Sequence, residues 1–238
     1  MTNNVYYFSN KQIMRKILVL VFASMICLGG FSQPTNTDSL RLKKDSALHA
    51  LIHADSLKVE KEYAEKEHWE KIKADAQYPA INAGAYSGIV PVTDPTEIPD
   101  PKMEYKILFE IIYNNPDSLS KDPNYALVEI ARVINLHVAS GIPVNKIMPV
   151  IVVHAGALNA ISNNAHYQER YKMDNPNLKL INDLQNIGAK FIACGQAMAF
   201  FKVKREDLLP NVKVSLTAQT VLTSYQLKGY VWRKVNIE

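Results

Sequence analysis

The sequence predicts an α/β fold of three layers, a five-stranded parallel sheet with helices on both faces, preceded by an N-terminal helix and a proline-rich arm. Three observations predict it. From Tyr105 onward, short β-branched apolar runs alternate with segments of helical period. The strand-like runs are almost continuously apolar, as strands covered on both faces are, and do not alternate in polarity. Turn residues (Gly, Asn and Asp-Pro) fall between them.

The first element is an export signal. Lys11, Arg15 and Lys16 precede the apolar run "ILVLVFASMICLGG" from Ile17, and "FSQPTNT" follows. This run is shorter than the roughly 20 apolar residues of a spanning helix, so residues 1–32 read as a signal peptide cleaved between Ser32 and Gln33. Lipid attachment at Cys27 is disfavoured because bulky Ile26 precedes it. The expectation is an exported protein, periplasmic or secreted, with no stable membrane insertion after cleavage. Cleavage removes three cations and no acid, so Lys+Arg falls from 27 to 24 against 23 acids and the net charge from +4 to +1. That near-balance leaves no basic footprint for nucleic acid.

Residues 33–78 read as a charged helical extension. Positions 41–75 hold eight basic and eight acidic side chains and no Gly or Pro. The apolar stripe of Leu48, Ile52, Val59 and Tyr63 breaks at Asp55, which predicts a surface helix; a docking or coiled-coil helix is the alternative. Residues 79–104 are the proline-rich linker or arm. Ile81, Tyr86, Ile89 and Val90 within it favour an arm lying on the next domain.

Residues 105–238 form the α/β domain, and about 130 residues suffice for one core. "YKILFEIIY" is the first strand. Asp122 and Pro123 open a helix as cap and first residue, with Leu127, Ile130, Ala131, Ile134 and Val138 inward and Gly141 at its end. "IMPVIVVHA" is the second strand. Asn175 and Pro176 start a helix with Leu178, Ile181, Leu184 and Ile187 inward and Gly188 as terminator. "AKFIAC" is the third strand, "GQAMAFF" a helical turn, "VKVSL" the fourth strand, "TAQTVLTSYQLK" a helix and "GYVWRKV" the fifth strand. The polar stretch 163–177 reads as a lid over the strand ends or an oligomer contact.

Ligands of open parallel sheets bind outside the carboxyl ends of the strands. That rule gathers Asn114 and Asn115 after strand one, His154 after strand two, Cys194 after strand three and Thr217 after strand four. Cys194 precedes Gly195 and Gln196 at a helix start, where backbone N–H groups stabilise a thiolate. Gly195 leaves room for a sulfur-bearing substrate and Gln196 offers an amide donor. The alternative is a small hydrophobe packed beside Ala193 and Ala197. His154 reads as a base for the thiol or as a loop hydrogen-bonding partner. No ligand spacing marks a metal site at His154, His166 and Cys194, and the pair His49 and His53 reads as a solvated helix face. No cofactor is expected: phosphate-binding glycine loops and the GxSxG elbow are both absent.

The blocks "YKILFEIIYNN", "IVVHAGAL", "NPNLKLINDLQNIGAKFIACGQAM" and "REDLLPNVKVSLTAQTVLTSYQLKGYVW" resemble the DsrE/DsrF-like family of sulfur-relay proteins over about residues 105–233. The resemblance implies a small Rossmann-like fold, a strand-end cysteine at Cys194 that accepts sulfur as a persulfide and hands it to a partner, and assembly into homo-trimers or hexamers. Two readings of different class follow. One is an exported persulfide carrier or sulfurtransferase that uses Cys194 and His154, with Asn114, Asn115, Gly195, Gln196 and Thr217 about the substrate and a sulfur donor or acceptor protein as partner. The other is a non-catalytic oligomeric binding or assembly module in which Cys194 only packs.

Overall fold

The computed structural model describes residues 37–235. The expected signal segment, its cleavage point and Cys27 lie outside the described residues. The chain separates into two units, one ending at Ala64 and the other running from Glu65. Helix α1, Thr37–Asp75, is unbroken by Gly or Pro, and Leu48, Ile52, Val59 and Tyr63 along it are all exposed. No described helix is long and apolar enough to cross a membrane.

The second unit is built on five parallel strands: β1 (Tyr105–Ile111), β2 (Ile147–Val153), β3 (Lys190–Cys194), β4 (Lys213–Ser215) and β5 (Val231–Lys234). Their order across the sheet is β4-β3-β2-β1-β5. Between them run α2 (Tyr125–Ala139), α3 (Asn164–Tyr171), α4 (Leu178–Asn186), α5 (Gly195–Phe201) and α6 (Ala218–Leu227). The chain steps one way from β1 to β4 and then returns to the far side of β1 for β5. Right-handed crossovers therefore send the helices before β4 to one face and α6 to the other. The cores agree. Ile107, Phe109, Ile111, Ile151, Val153, Phe191 and Ala193 pack with α2, α4 and Met198 of α5. Leu108, Val150, Val152, Ile192 and Cys194 pack with Ala218 and Leu222 of α6. Successive residues of β1, β2 and β3 thus feed opposite cores, which is why these strands carry no polar alternation, whereas the edge strands β4 and β5 are largely exposed.

Two helix starts differ from the sequence expectation. α2 is capped by Asn124, not Asp122: its Oδ1 accepts from Ala126 N and Leu127 N at 3.0 and 3.4 Å. The shift comes from Asn115, whose buried amide accepts from Tyr125 N and donates to the Asp122 and Pro123 carbonyls, holding those residues in the preceding loop. α4 begins at Leu178 after Asn177, beyond the expected start at Asn175 and Pro176, because the Asn175 amide turns back to the Ala160 and Ser162 carbonyls. Leu180 joins Ile181 and Leu184 in the buried set, while Leu178 and Ile187 are half-buried at its edge. Residues 163–177 are not one loop. Asn163 accepts from His166 N to cap α3, and Asn175 and Asn177 tie the return through Ala160, Ser162 and Asn124.

The proline-rich segment does lie on the domain, and one side chain holds it. Asn135 of α2, 0% exposed, accepts from Ala80 N and Ile81 N and donates to the Ile81 and Ser87 carbonyls, all within 2.9 Å. Ile81 and Ile89 are buried, but Tyr86 and Val90 face outward, so only half of the expected anchors serve.

Tyr167 of α3 donates to the Ser120 carbonyl at 2.6 Å. Burial pushes its phenol up from 10.0 to about 12, with the neighbouring Tyr171 adding and Arg170 opposing. Because the folded value lies above the unfolded one, this stabilisation is complete below pH 10 and is lost as pH rises towards 12. Urea unfolding of Tyr167→Phe should therefore fall less steeply across that window than wild type; parallel slopes would count against the assignment.

Candidate functional site

The loop after β3 leads to α5 on one face and the loop after β4 leads to α6 on the other, so the ends of β3 and β4 form the switch point of the sheet. Cys194 ends β3 there. Its Sγ accepts a hydrogen bond from Ala218 N, the first N–H of α6, at 3.2 Å. The sequence assigned this polarisation to the short helix that follows Cys194; the donor instead comes from the helix after β4, a partner that only strand pairing brings close. β4 is placed by the pairs Ile192↔Lys213, Ala193↔Val214 and Cys194↔Ser215.

Cys194 is 5% exposed and lies just inside the edge, not on an open rim. Gly195 is required for a different reason from the one its sequence suggests. A Cβ there would sit 2.6 Å from the Ser215 carbonyl oxygen and 3.3 Å from that of Leu216, so β4 fills the room expected for substrate. Gln196 donates its backbone N–H to Leu216 O and leaves its side chain exposed. Thr217 is the N-cap of α6, its Oγ1 accepting from Gln219 N at 3.3 Å. Its role is to orient the helix whose first amide meets the sulfur.

His154 follows the last residue of β2. The β2–β3 register ends at Val153↔Ala193, so His154 and Cys194 come next at adjoining strand ends. Side chains alternate along a strand, which puts both on the α6 face with Val152 and Ile192. His154 Nε2 lies 2.9 Å from Glu110 Oε1. Glu110 is 3% exposed, and its other oxygen accepts from Trp232 Nε1 at 3.1 Å. The sequence reading missed Glu110 and Trp232. The signal was present: a carboxylate inside the apolar run "ILFEII" must find partners in the core.

Asn114 and Asn115 do not join this group. Asn114 donates to the Tyr171 hydroxyl at 2.9 Å, and Asn115 holds the loop before α2. His166 faces Asp207, at 3.6 Å, apart from His154 and its own carboxylate. Among the described residues no three His, Cys, Asp or Glu side chains gather at metal-binding distances. A cleft of about 690 Å³ lined by Tyr86, Phe109, Tyr125, Arg132 and Arg233 opens on the opposite face of β1 and β5 and includes neither Cys194 nor His154.

The DsrE/DsrF-like family model matches residues 106–232, more than half of the chain, from within β1 to within β5 and including Cys194. The chain belongs to the DsrE/DsrF-like family. A solved structure of a protein of unknown function from Methanobacterium thermoautotrophicum, MTH1491, is 18% identical, covering 55% of this chain and 98% of that one with a TM-score of 0.41. No curated protein matches the chain. In this DsrE-like domain the side chains of Cys194, His154 and Glu110 lie together on the α6 face. The remaining strand-end residues hold loops and caps in place.

Proposed function

We propose that the protein is an exported sulfur carrier of the DsrE-like kind, in which Cys194 holds sulfane sulfur as a persulfide. The observation that carries this is the α6 amide aimed at Cys194 Sγ at the switch point of the sheet. That N–H stands at the start of a ten-residue helix, placed to donate to negative charge that develops on the sulfur during transfer. The donor must be sulfane sulfur, such as a hydropolysulfide. Sulfide is at the same oxidation level as the thiol and would need a separate oxidant to form an S–S bond. The step is attack by Cys194 sulfur on the terminal sulfur of the donor. A new S–S bond forms, the donor's S–S bond breaks, and its electron pair leaves on the shortened chain. Family membership supports sulfur handling; export rests on the basic and apolar pattern of residues 11–32. Assembly into homo-trimers or hexamers belongs to the same proposal and is checked by light scattering.

A second reading is favoured by the burial of Cys194 among Leu108, Val150 and Ile192: an assembly module in which the sulfur only packs. Intact-mass spectrometry after polysulfide treatment separates the two. A gain of whole sulfur masses in wild type that disappears in Cys194→Ser supports the carrier. A wild type whose mass does not change leaves the packing role.

A further inference from the structure

Glu110 is the only acid in β1, and both of its oxygens are occupied, one by His154 Nε2 and one by Trp232 Nε1. The indole can only donate, and a carboxylate only accepts. Nε2 of His154 therefore carries a proton in this pair, and a neutral ring has its lone pair on Nδ1. We propose that Glu110 is a positioning residue that holds His154 as the Nε2–H tautomer, leaving Nδ1 as the proton acceptor at the strand-end edge it shares with Cys194. The role rests on the reading of Cys194 as a sulfur carrier. In the transfer step the Cys194 thiol passes its proton to Nδ1, directly or through one water. The thiol sulfur bonds the terminal sulfur of the hydropolysulfide, and the shortened polysulfide takes the proton from His154 as it leaves. Atoms and electrons balance without an oxidant.

Three features join in this assignment: a carboxylate 97% removed from solvent, an imidazole 18% exposed and an indole 47% exposed. The chain of contacts runs from the sheet interior to its surface. Trp232 makes the assignment testable, because it consumes one acceptor and never offers one.

Glu110→Gln keeps the shape and inverts the tautomer. The single carboxamide oxygen goes to the Trp232 N–H, the NH₂ turns to His154 Nε2, and the ring proton must move to Nδ1. Adding Trp232→Phe frees that oxygen to accept from Nε2–H again. Nitrogen NMR of the full chain, at a pH where the ring is neutral, is expected to read Nε2–H in wild type, Nδ1–H in E110Q and Nε2–H in the double variant. Loading of Cys194 from polysulfide, followed by intact mass, is expected to slow at least about 10-fold in E110Q and to recover in the double variant. Trp232→Phe alone keeps the wild-type tautomer, and His154→Asn, which has no ring nitrogen to accept the proton, slows loading even should E110Q fail to fold. An unchanged tautomer in E110Q, or equal loading rates despite inversion, overturns the proposal. A wild type that takes up no sulfur overturns the carrier reading and the proton-accepting role with it, and the NMR series tells that failure from a wrong assignment of Glu110.

Discussion

Asn135→Leu is expected to lower stability by about 4 kcal/mol and to release residues 78–90 from α2. The side chain keeps the branched four-atom skeleton but replaces the amide with two bulkier methyl groups; what goes is four hydrogen bonds to the backbone of the arm. At about 1 kcal/mol each, with unpaired buried groups costing more, the sum is about 4 kcal/mol. The arm has one escape, which is to leave the surface and return its amides to water. That exposes Ile81 and Ile89, 3% and 7% exposed in place, at about 1.5–3 kcal/mol for each side chain. Both routes end near the same cost. Urea denaturation measures it, and limited proteolysis near Tyr86 reports release. A loss under about 1 kcal/mol with the arm still protected would mean that the apolar contacts alone hold it.

Gly195→Ala is expected to cost about 2–3 kcal/mol, the upper part of the range for overpacking, and to disturb the sulfur site as well as the fold. The added methyl meets a backbone carbonyl, Ser215 O at 2.6 Å, which has no rotamer to turn away. β4 must move, and with it Thr217 and the start of α6, so the Ala218 N–H contact to Cys194 loosens. Two readouts follow: a lower urea midpoint, and a higher rate of Cys194 alkylation as the β3–β4 edge opens. An alanine variant of wild-type stability with unchanged alkylation would show that β4 yields freely and that the glycine serves no close approach.

The central strands were legible because β1, β2 and β3 are apolar runs too short for a helix, and the edge strands β4 and β5, which carry Lys and Arg, were placed by the turns and helices around them. Cap positions were less so. Asp122, Asn124, Asn175 and Asn177 have similar side chains, and the choice among them depends on which loop amides each can reach, as Asn115 decides for α2. The rule that strand ends carry ligands pointed to Cys194, His154 and Thr217, which the structure places at or just beyond the ends of β3, β2 and β4. Glu110 was overlooked because the rule counts only residues beyond the strand, and Trp232 because a tryptophan in an edge strand reads as packing.

By itself, the order of residues determined which segments become strands and helices, since hydrophobic period and turn chemistry act over a few neighbours. It also determined that the central strands β1, β2 and β3 are parallel and doubly covered, through their nearly unbroken apolar character, while the edge strands β4 and β5 stay largely exposed. Only the tertiary structure decided what surrounds the sulfur. Whether Glu110, His154, Trp232 and Cys194 share a face depends on pairing register, where a slip of one residue sends a side chain to the opposite core. The amide that meets Cys194 comes from 24 residues downstream, a proximity set by the pairing of β3 with β4 at Cys194↔Ser215.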